Sequence, residues 1–593
     1  MRNKFSWKIA GEAGDGILNA GLMFARMCMK GGLNVFASAE YPSLIRGGHN
    51  HLDVMADEDM LFSHTKYIDV LVALNRESLE KHAGRVSQNG GIIYDGDKLQ
   101  IDMNEIRDDV RLFPMPLLRI AEQNGGKIMR NVVAMGATVA LVDYDIELFN
   151  QVIRDNFGAK KGEAIANANI GAAKAGYDYV KQNFKFDYKL QKRKPKNAVF
   201  MSGNEAIVAG ALKAGCKFLA AYPMTPATSV MTNMAAQEKN YNVVVKHTED
   251  EIAAINMAIG ASYAGVRAMT CTSGGGFCLM VEGLGLASQM EIPLVIVEAQ
   301  RPGPATGMAT HSGQGDLRFV MHASTDESPR AIIAPGDQEE CFYRTVDAFN
   351  IAEKYQMPVI ILTDKYLGES YKSIPVFDES ARIDRGKLLT QEYLDGAGDF
   401  RRYAITEDGI SPRSIPSQKG GEHTASSYEH DEEGYEREEE ETRVAMHNKR
   451  FRKFESLKNE LPPPQFFGDK DAGTTIISWG STKGPILQAM RKLSQKGMKT
   501  NFCQIVYISP FPKEDIAKVI RNSRRTVVIE GNKTSQLSGI IKEHTGLDVD
   551  YKILKYDGRP FFSEEIVHGI KEIVENNNTR ELVFSKNTIV ERC

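Results

Sequence analysis

The sequence has little with which to bind a metal, enter a membrane or hold nucleic acid. Seven cysteines are scattered over 593 residues: Cys28, Cys216, Cys271, Cys278, Cys341, Cys503 and Cys593. None form a CxxC pair, and Cys271 and Cys278 are the closest together. An iron–sulfur cluster takes four thiolates, several of them closely spaced, and a structural zinc site asks for similar spacing. The chain is therefore expected to bind no metal, and its cysteines read as buried, reduced thiols. No apolar run reaches the ~18–20 residues of a membrane span. The start, MRNKFSWKIAGEAGDG, has no apolar stretch of signal-peptide length. With a net charge of −4 there is no basic field for nucleic acid. Solenoid-type repeats are absent too. These absences together predict a cytoplasmic protein.

What is present reads as a soluble α/β chain. Hydrophobic residues make up 42% and charged residues 25%, ordinary for globular proteins. The length allows roughly three to five domains. Over 1–185 a strand at Phe5–Ala10, a glycine turn and a helix at Ile17–Lys30 open an α/β unit. Further strands are expected at Leu33–Ala37, Asp69–Leu74 and Gly91–Tyr94, and a helix at Glu163–Gln182. A basic, Pro-containing linker at 186–197 follows. Residues 198–375 alternate strand and helix again. Pro293–Glu298 and Met357–Leu362 have the near-continuous apolar pattern of parallel strands buried on both faces. Residues 376–470 are rich in Pro, Gly, Ser and charge. They are expected to form an irregular connecting segment whose acidic run, 428–442, is solvated, with His423 and His430 nearby. Residues 471–593 return to α/β. The fold class predicted is α/β, with three parallel-sheet domains.

The chemistry concentrates around Glu251. A strand ends, a glutamate starts a helix, and small residues follow at Ala253, Ala254, Ala258, Gly260 and Ala261. By itself this reads equally as a carboxylate capping a closely packed helix. The continuation is more specific: a strand at Ala268–Thr272, the turn Thr272-Ser-Gly-Gly-Gly276, a helix, and the strand Ile292-Pro-Leu-Val-Ile-Val297. This series resembles the pyrimidine-binding domain of thiamine-diphosphate enzymes. The resemblance implies that Glu251 bonds the aminopyrimidine ring and exchanges a proton there, with Glu249 and Asp250 as neighbouring rivals. A carboxylate does this best in a dry pocket. Gly14-Asp15-Gly16 is not followed by the asparagine that a diphosphate-binding half needs, and it is a poor dinucleotide fingerprint. That half is expected on another chain.

Other segments narrow the family. Tyr222-Pro-Met-Thr-Pro226 and the loop Gln300–Asp316 (QRPGPATGMATHSGQGD) are similar to the alpha subunits of 2-oxoacid:ferredoxin oxidoreductases. In the loop His311 stands where many members carry Arg or Lys, and Ala309 replaces Pro. A protonated His311 could bind a carboxylate in place of that basic residue. Tyr41-Pro-Ser-Leu-Ile-Arg46-Gly-Gly resembles a loop of the family's gamma module. There Arg46 could face a carboxylate or phosphate, or hold a domain interface. Thr475–Gly484 and Pro510-Phe-Pro512 resemble the transketolase C-terminal-like domain. Arg402–Arg413 (RYAITEDGISPR) and the gamma–alpha order are most like the 2-oxoglutarate branch. The resemblance places Glu251, Thr225, Pro223, Gly274 and Gly275 at the cofactor, and Thr225, Arg301, His311 and Arg46 toward substrate. It implies thiamine diphosphate shared with a beta subunit that carries Mg2+ and a 4Fe–4S cluster. It also implies coenzyme A as co-substrate, ferredoxin as electron acceptor and a dimer of heterodimers.

Overall fold

A computed structural model of the chain describes residues 3–44, 47–158, 161–378, 380–396, 399–576 and 580–585. It divides into two compact units. One comprises Met1–Met201 with Ser370–Val376 and Phe562–Glu564; the other comprises Ser202–Glu369, Phe377–Phe561 and Glu565–Cys593. Among the described residues, no helix is long and apolar enough to cross a membrane.

The first unit is built on an eight-stranded sheet. Its order is Arg111–Met115, Val86–Asp95, Ile68–Ala73, Lys4–Glu12, His49–Asp57, Asn34–Glu40, Tyr371–Pro375, Ala198–Ser202. The helix expected at Ile17–Lys30 occupies those residues. The sheet, however, is mixed rather than parallel. His49–Asp57 runs antiparallel to both Lys4–Glu12 and Asn34–Glu40, and Tyr371–Pro375 is antiparallel to Asn34–Glu40. The reason lies in the strand HNHLDVMAD, whose His51, Asp53 and Asp57 are buried. Such residues are depleted in strands, so pattern reading passes over them. Trp7 anchors the core, stacked on Phe24 at 4.4 Å, with its indole N–H donated to Thr138 Oγ1. Helices Arg130–Leu141 and Glu163–Asn183 cross closely, because a Cβ on Gly136 would lie 1.9 Å from the Ala173 carbonyl oxygen.

The second unit holds two sheets. The seven-stranded one runs Tyr507–Ser509, Ala331–Ile333, Pro358–Asp364, Leu294–Gln300, Ala268–Thr272, Phe218–Ala221, Val244–His247. It is parallel except for Tyr507–Ser509. Leu294–Gln300 and Pro358–Asp364 are buried at every position, as their apolar runs predict. Each fully buried aliphatic side chain there contributes about 1.5–3 kcal/mol. The six-stranded sheet runs Gln465–Gly468, Asn501–Gln504, Thr475–Ser478, Thr526–Glu530, Tyr551–Lys555, Glu581–Phe584, and only Gln465–Gly468 is antiparallel. One apolar core spans residues of both sheets, from Ile255 and Ile296 to Trp479 and Val528.

Within 376–470, where composition predicts irregular chain, a helix covers Glu440–Glu460. Its buried face is mixed, with Lys449, Arg450 and Lys453 between Met446 and Leu457. Lys449 Nζ and Lys453 Nζ donate to the two oxygens of Glu291 at 2.6 and 2.8 Å, and all three side chains are buried. Burial alone would push the Glu291 carboxyl up; the two ammonium groups overcome it and hold it far below the usual carboxylate range. An ionic stripe of this kind has no hydrophobic period to detect. The acidic run just before the helix is largely exposed, but Glu429 is tied to Arg443 and Arg450 at 2.8 and 2.6 Å.

Candidate active site

Parallel strands that end side by side leave a crevice beyond their carboxyl ends, where ligands bind in open α/β sheets. In the seven-stranded sheet, Phe218–Ala221 gives way to the turn Tyr222–Pro226, Val244–His247 to the Glu251 helix, Ala268–Thr272 to Ser273–Gly276, and Leu294–Gln300 to Arg301. The segments singled out from sequence thus emerge on one rim.

Three acidic residues precede the helix Glu251–Tyr263, and they are used differently. Glu249 is exposed. Asp250 is the N-cap: its backbone is extended and its Oδ1 accepts from the Ala253 N–H at 2.8 Å, a contact that typically contributes about 1 kcal/mol. Glu251 turns inward and is 3% exposed. Its Oε1 is buried with no hydrogen-bond partner. A carboxylate oxygen left in this state is costly unless something else occupies the space beside it.

Gly276 forms the wall in front of that oxygen. A Cβ there would lie 2.5 Å from Glu251 Oε1 and 2.1 Å from Thr272 Oγ1, so the second turn residue after Gly274 must lack a side chain. Gly274 has a related constraint, with a Cβ reaching within 2.4 Å of Asp316 Oδ2; at the exposed Gly275 the nearest atom is the Ala305 carbonyl oxygen, at 3.6 Å. The glycines of the turn therefore let two carboxylates and the backbone of the 301–316 loop approach the start of the helix Gly274–Gln289.

Thr225 is half-buried, and its carbonyl accepts from an Arg301 N–H at 2.7 Å. Pro223 precedes it, also half-buried. Asn204 steadies the turn by donating to the Pro226 carbonyl at 2.9 Å and to Ser229 Oγ at 2.7 Å. Burial lowers the Arg301 guanidinium pKa, against the pull of Asp316. The loop is then held to the six-stranded sheet: the N–H of Gln314 donates to the Gly531 carbonyl at 2.9 Å, and its side-chain oxygen accepts from the Gly531 N–H at 2.8 Å. His311 lies on that side of the loop, half-buried, with its Cβ 3.3 Å from a Cβ placed at Gly558. Arg301 is thus drawn to the Thr225 turn while His311 sits against the other sheet. Arg46 lies outside the described residues.

Sequence reading passed over Glu298 and Asp316. Glu298 sits in the middle strand, in register with Thr272, fully buried. Burial first, and then the facing Asp316 carboxylate, push its pKa well above the ordinary range. Asp316 is itself raised to about 6, again chiefly by burial. A buried carboxyl facing another carboxylate favours its protonated form. The available signal was a glutamate inside the apolar run LVIVEAQ, since a buried charge is more informative than another buried leucine.

Comparison with known proteins gives a consistent result. Residues 6–179 match the family model for pyruvate ferredoxin/flavodoxin oxidoreductase. Residues 209–449 match the thiamine-diphosphate-binding pyruvate flavodoxin/ferredoxin oxidoreductase model. Residues 472–561 match core domain II of pyruvate:ferredoxin oxidoreductase. The chain is 31% identical to a 2-oxoacid:ferredoxin oxidoreductase subunit alpha from Sulfolobus sp, over 97% of this chain and 98% of that one. It is 29% identical to the 2-oxoglutarate oxidoreductase subunit KorA of Mycobacterium tuberculosis, over 94% of this chain and 90% of the relative. Among solved structures, it is similar to a 2-oxoglutarate:ferredoxin oxidoreductase from Magnetococcus marinus with 2-oxoglutarate, coenzyme A and succinyl-CoA bound. The TM-score is 0.91 and the identity 33%, covering 97% of this chain and all of that one.

Proposed function

Since the chain belongs to the 2-oxoacid:ferredoxin oxidoreductases as an alpha subunit, we propose that it takes part in the coenzyme-A-dependent oxidation of 2-oxoglutarate, with Glu251 as its catalytic residue. The observation that carries the assignment of Glu251 is its orphaned, buried oxygen behind a glycine wall. An aminopyrimidine edge would give that oxygen the partner it lacks, and the absence of a side chain at Gly276 is what leaves room for the Glu251 carboxylate itself. When bound, thiamine diphosphate supplies the carbon nucleophile and electron sink for decarboxylating a 2-oxoacid.

The rest is the work of this chain's side chains. Glu251 holds and moves a proton at the pyrimidine nitrogen, and its burial excludes competing water. Thr225 and Pro223 border the cofactor from the neighbouring turn, and Gly274 and Gly275 keep its approach open. Arg301, which donates to the Thr225 carbonyl, and His311 are the residues assigned to substrate carboxylates. 2-Oxoglutarate is favoured because two similar proteins act on it by name, and because a second carboxylate gives these cations a partner. A beta subunit supplies the diphosphate half, Mg2+ and the 4Fe–4S cluster, and ferredoxin takes the electrons.

The test is anaerobic co-purification with the beta subunit, followed by coenzyme-A-dependent viologen reduction across a panel of 2-oxoacids. The matched family models carry the name of pyruvate, so pyruvate and branched-chain acids belong in the panel. Turnover highest with 2-oxoglutarate supports the reading. Turnover highest with another acid moves the substrate but keeps the chemistry. Silence with both cofactors loaded removes the proposal.

A further inference from the structure

The first unit contains a polar cluster that the oxidoreductase chemistry above does not use. Strand His49–Asp57 lies between Lys4–Glu12 and Asn34–Glu40, with His51 opposite Ala10 on one side and Glu40 on the other. Strand alternation puts His49, His51 and Asp53 on one face. His82 ends the helix Arg76–His82 and reaches the same place. One ligand atom from each histidine lies within 4.8 Å of the others. His49 Nε2 and His82 Nε2 are 2.7 Å apart. His51 Nε2 is 3.4 Å from Asp53 Oδ2 and 3.9 Å from Glu40 Oε2.

We propose that His49, His51 and His82 form a binding site for one divalent transition-metal cation, zinc being the first candidate, with a fourth position open to solvent or a small ligand. The hydrogen-bond accounting motivates it. Two imidazole nitrogens at 2.7 Å can share one proton and no more. His49 Nδ1 and His51 Nδ1 are buried without any hydrogen-bond partner, and each such nitrogen is costly. A cation at the His49 and His82 Nε2 atoms replaces the proton they share, and His51 offers a third nitrogen within reach. Zinc–nitrogen bonds of about 2.0–2.1 Å put the ligands of a tetrahedral ion roughly 3.3 Å apart, a spacing inside the present cluster. Imidazole donors select zinc, copper, nickel or iron rather than magnesium or calcium.

Charges of both signs surround the cluster. Asp53 and Glu40 sit behind His51, where carboxylates orient a metal-bound imidazole and offset its charge. The opposing charges are Arg85, Lys81 and Lys8, and the Lys8 Nζ is held by Asp53 at 3.0 Å. Burial, reinforced by Arg85, lowers the Lys8 pKa to about 8. The cysteine count gave no hint of this site. The only sequence trace is His49-Asn50-His51, and its third member lies thirty-one residues beyond His51.

The test uses the untagged full chain, stripped with chelator. Zinc uptake is measured by calorimetry and elemental analysis, and Co2+ is used as a visible-absorbing probe. One ion per chain is expected, with a cobalt d–d band of tetrahedral or five-coordinate intensity and a thermal midpoint that rises with zinc concentration. His51→Ala and His82→Ala should abolish the band. His49→Gln, at the more open position, should keep the fold by circular dichroism yet weaken zinc by about tenfold or more. The absence of zinc uptake by the wild-type chain overturns the proposal in favour of a purely hydrogen-bonded imidazole pair. So does uptake that is unchanged in the folded His49→Gln chain. Because the readout is binding, it stands apart from the substrate panel.

Discussion

Two glutamates of the second unit are equally hidden and oppositely treated. Glu291 has an ammonium group on each carboxylate oxygen, and both donors come from one helix, Glu440–Glu460. Glu251 has a buried oxygen with no donor and a glycine in front of it. Taking a carboxylate out of water is expensive in either place. At Glu291 the cost is offset inside the chain, which marks it as architecture. At Glu251 it is left standing, which marks a place where a ligand completes the structure. Glu298 and Asp316 represent a third case, in which burial raises both pKa values and favours the protonated carboxyl over the charged one.

The contrast can be broken most severely at Glu251. Glu251→Gln is expected to lower kcat by about 10²–10⁴ in the viologen assay while the thermal midpoint stays within a degree or two of wild type. A large loss of stability with retained turnover would exchange the roles of the two residues. Next in size, Glu291→Gln should destabilise the chain by about 3–5 kcal/mol, because Lys449 and Lys453 are left buried without their partner. The denaturant midpoint measures this, and specific activity per folded enzyme should be unchanged. Replacing all three by apolar residues of similar volume should recover most of the loss. If it does not, the ionic cluster has a role beyond packing.

The smallest effect belongs to Asp316. Its pKa is raised from 3.8 to about 6, so the folded state holds this proton more tightly than the unfolded chain. Its contribution to stability is full below about pH 4 and is lost as pH rises through 6. The difference in unfolding free energy between wild type and Asp316→Asn should therefore shift against wild type across that window. The shift should be at most about 3 kcal/mol, reduced by screening at the partly open edge of the group. Parallel curves for the two proteins would remove the raised pKa of Asp316.

How legible all this was follows the same division. Elements that bury apolar residues were readable: the helix Ile17–Lys30 and the strands within Leu294–Gln300 and Pro358–Asp364 lie where hydrophobic patterning puts them. Elements that bury charge were not. The strand His49–Asp57 turns His51 and Asp53 inward, and the helix Glu440–Glu460 turns Lys449 and Lys453 inward. Leu52, Val54 and Ala56 alternate in the strand but its opposite face is largely polar, and the helix buries only Met446 and Leu457 beside its cations. In the site, Glu251 and the glycine turn are local in sequence and visible there. The Glu298–Asp316 pair exists only because the intervening loop returns to the strand end, and the split between Arg301 and His311 depends on which sheet holds each half of that loop.

The strand Tyr371–Pro375 has a consequence for synthesis. It covers the outer side of Asn34–Glu40 in the finished first sheet, yet it emerges from the ribosome more than three hundred residues later. At roughly 5–20 residues per second, the waiting time is on the order of fifteen seconds to a minute. Throughout that interval the nascent first unit presents an unpaired strand edge, which is a template for wrong partners. A nascent chain of this design depends on shielding of that edge, and stalling or truncation between these two segments is where aggregation should begin.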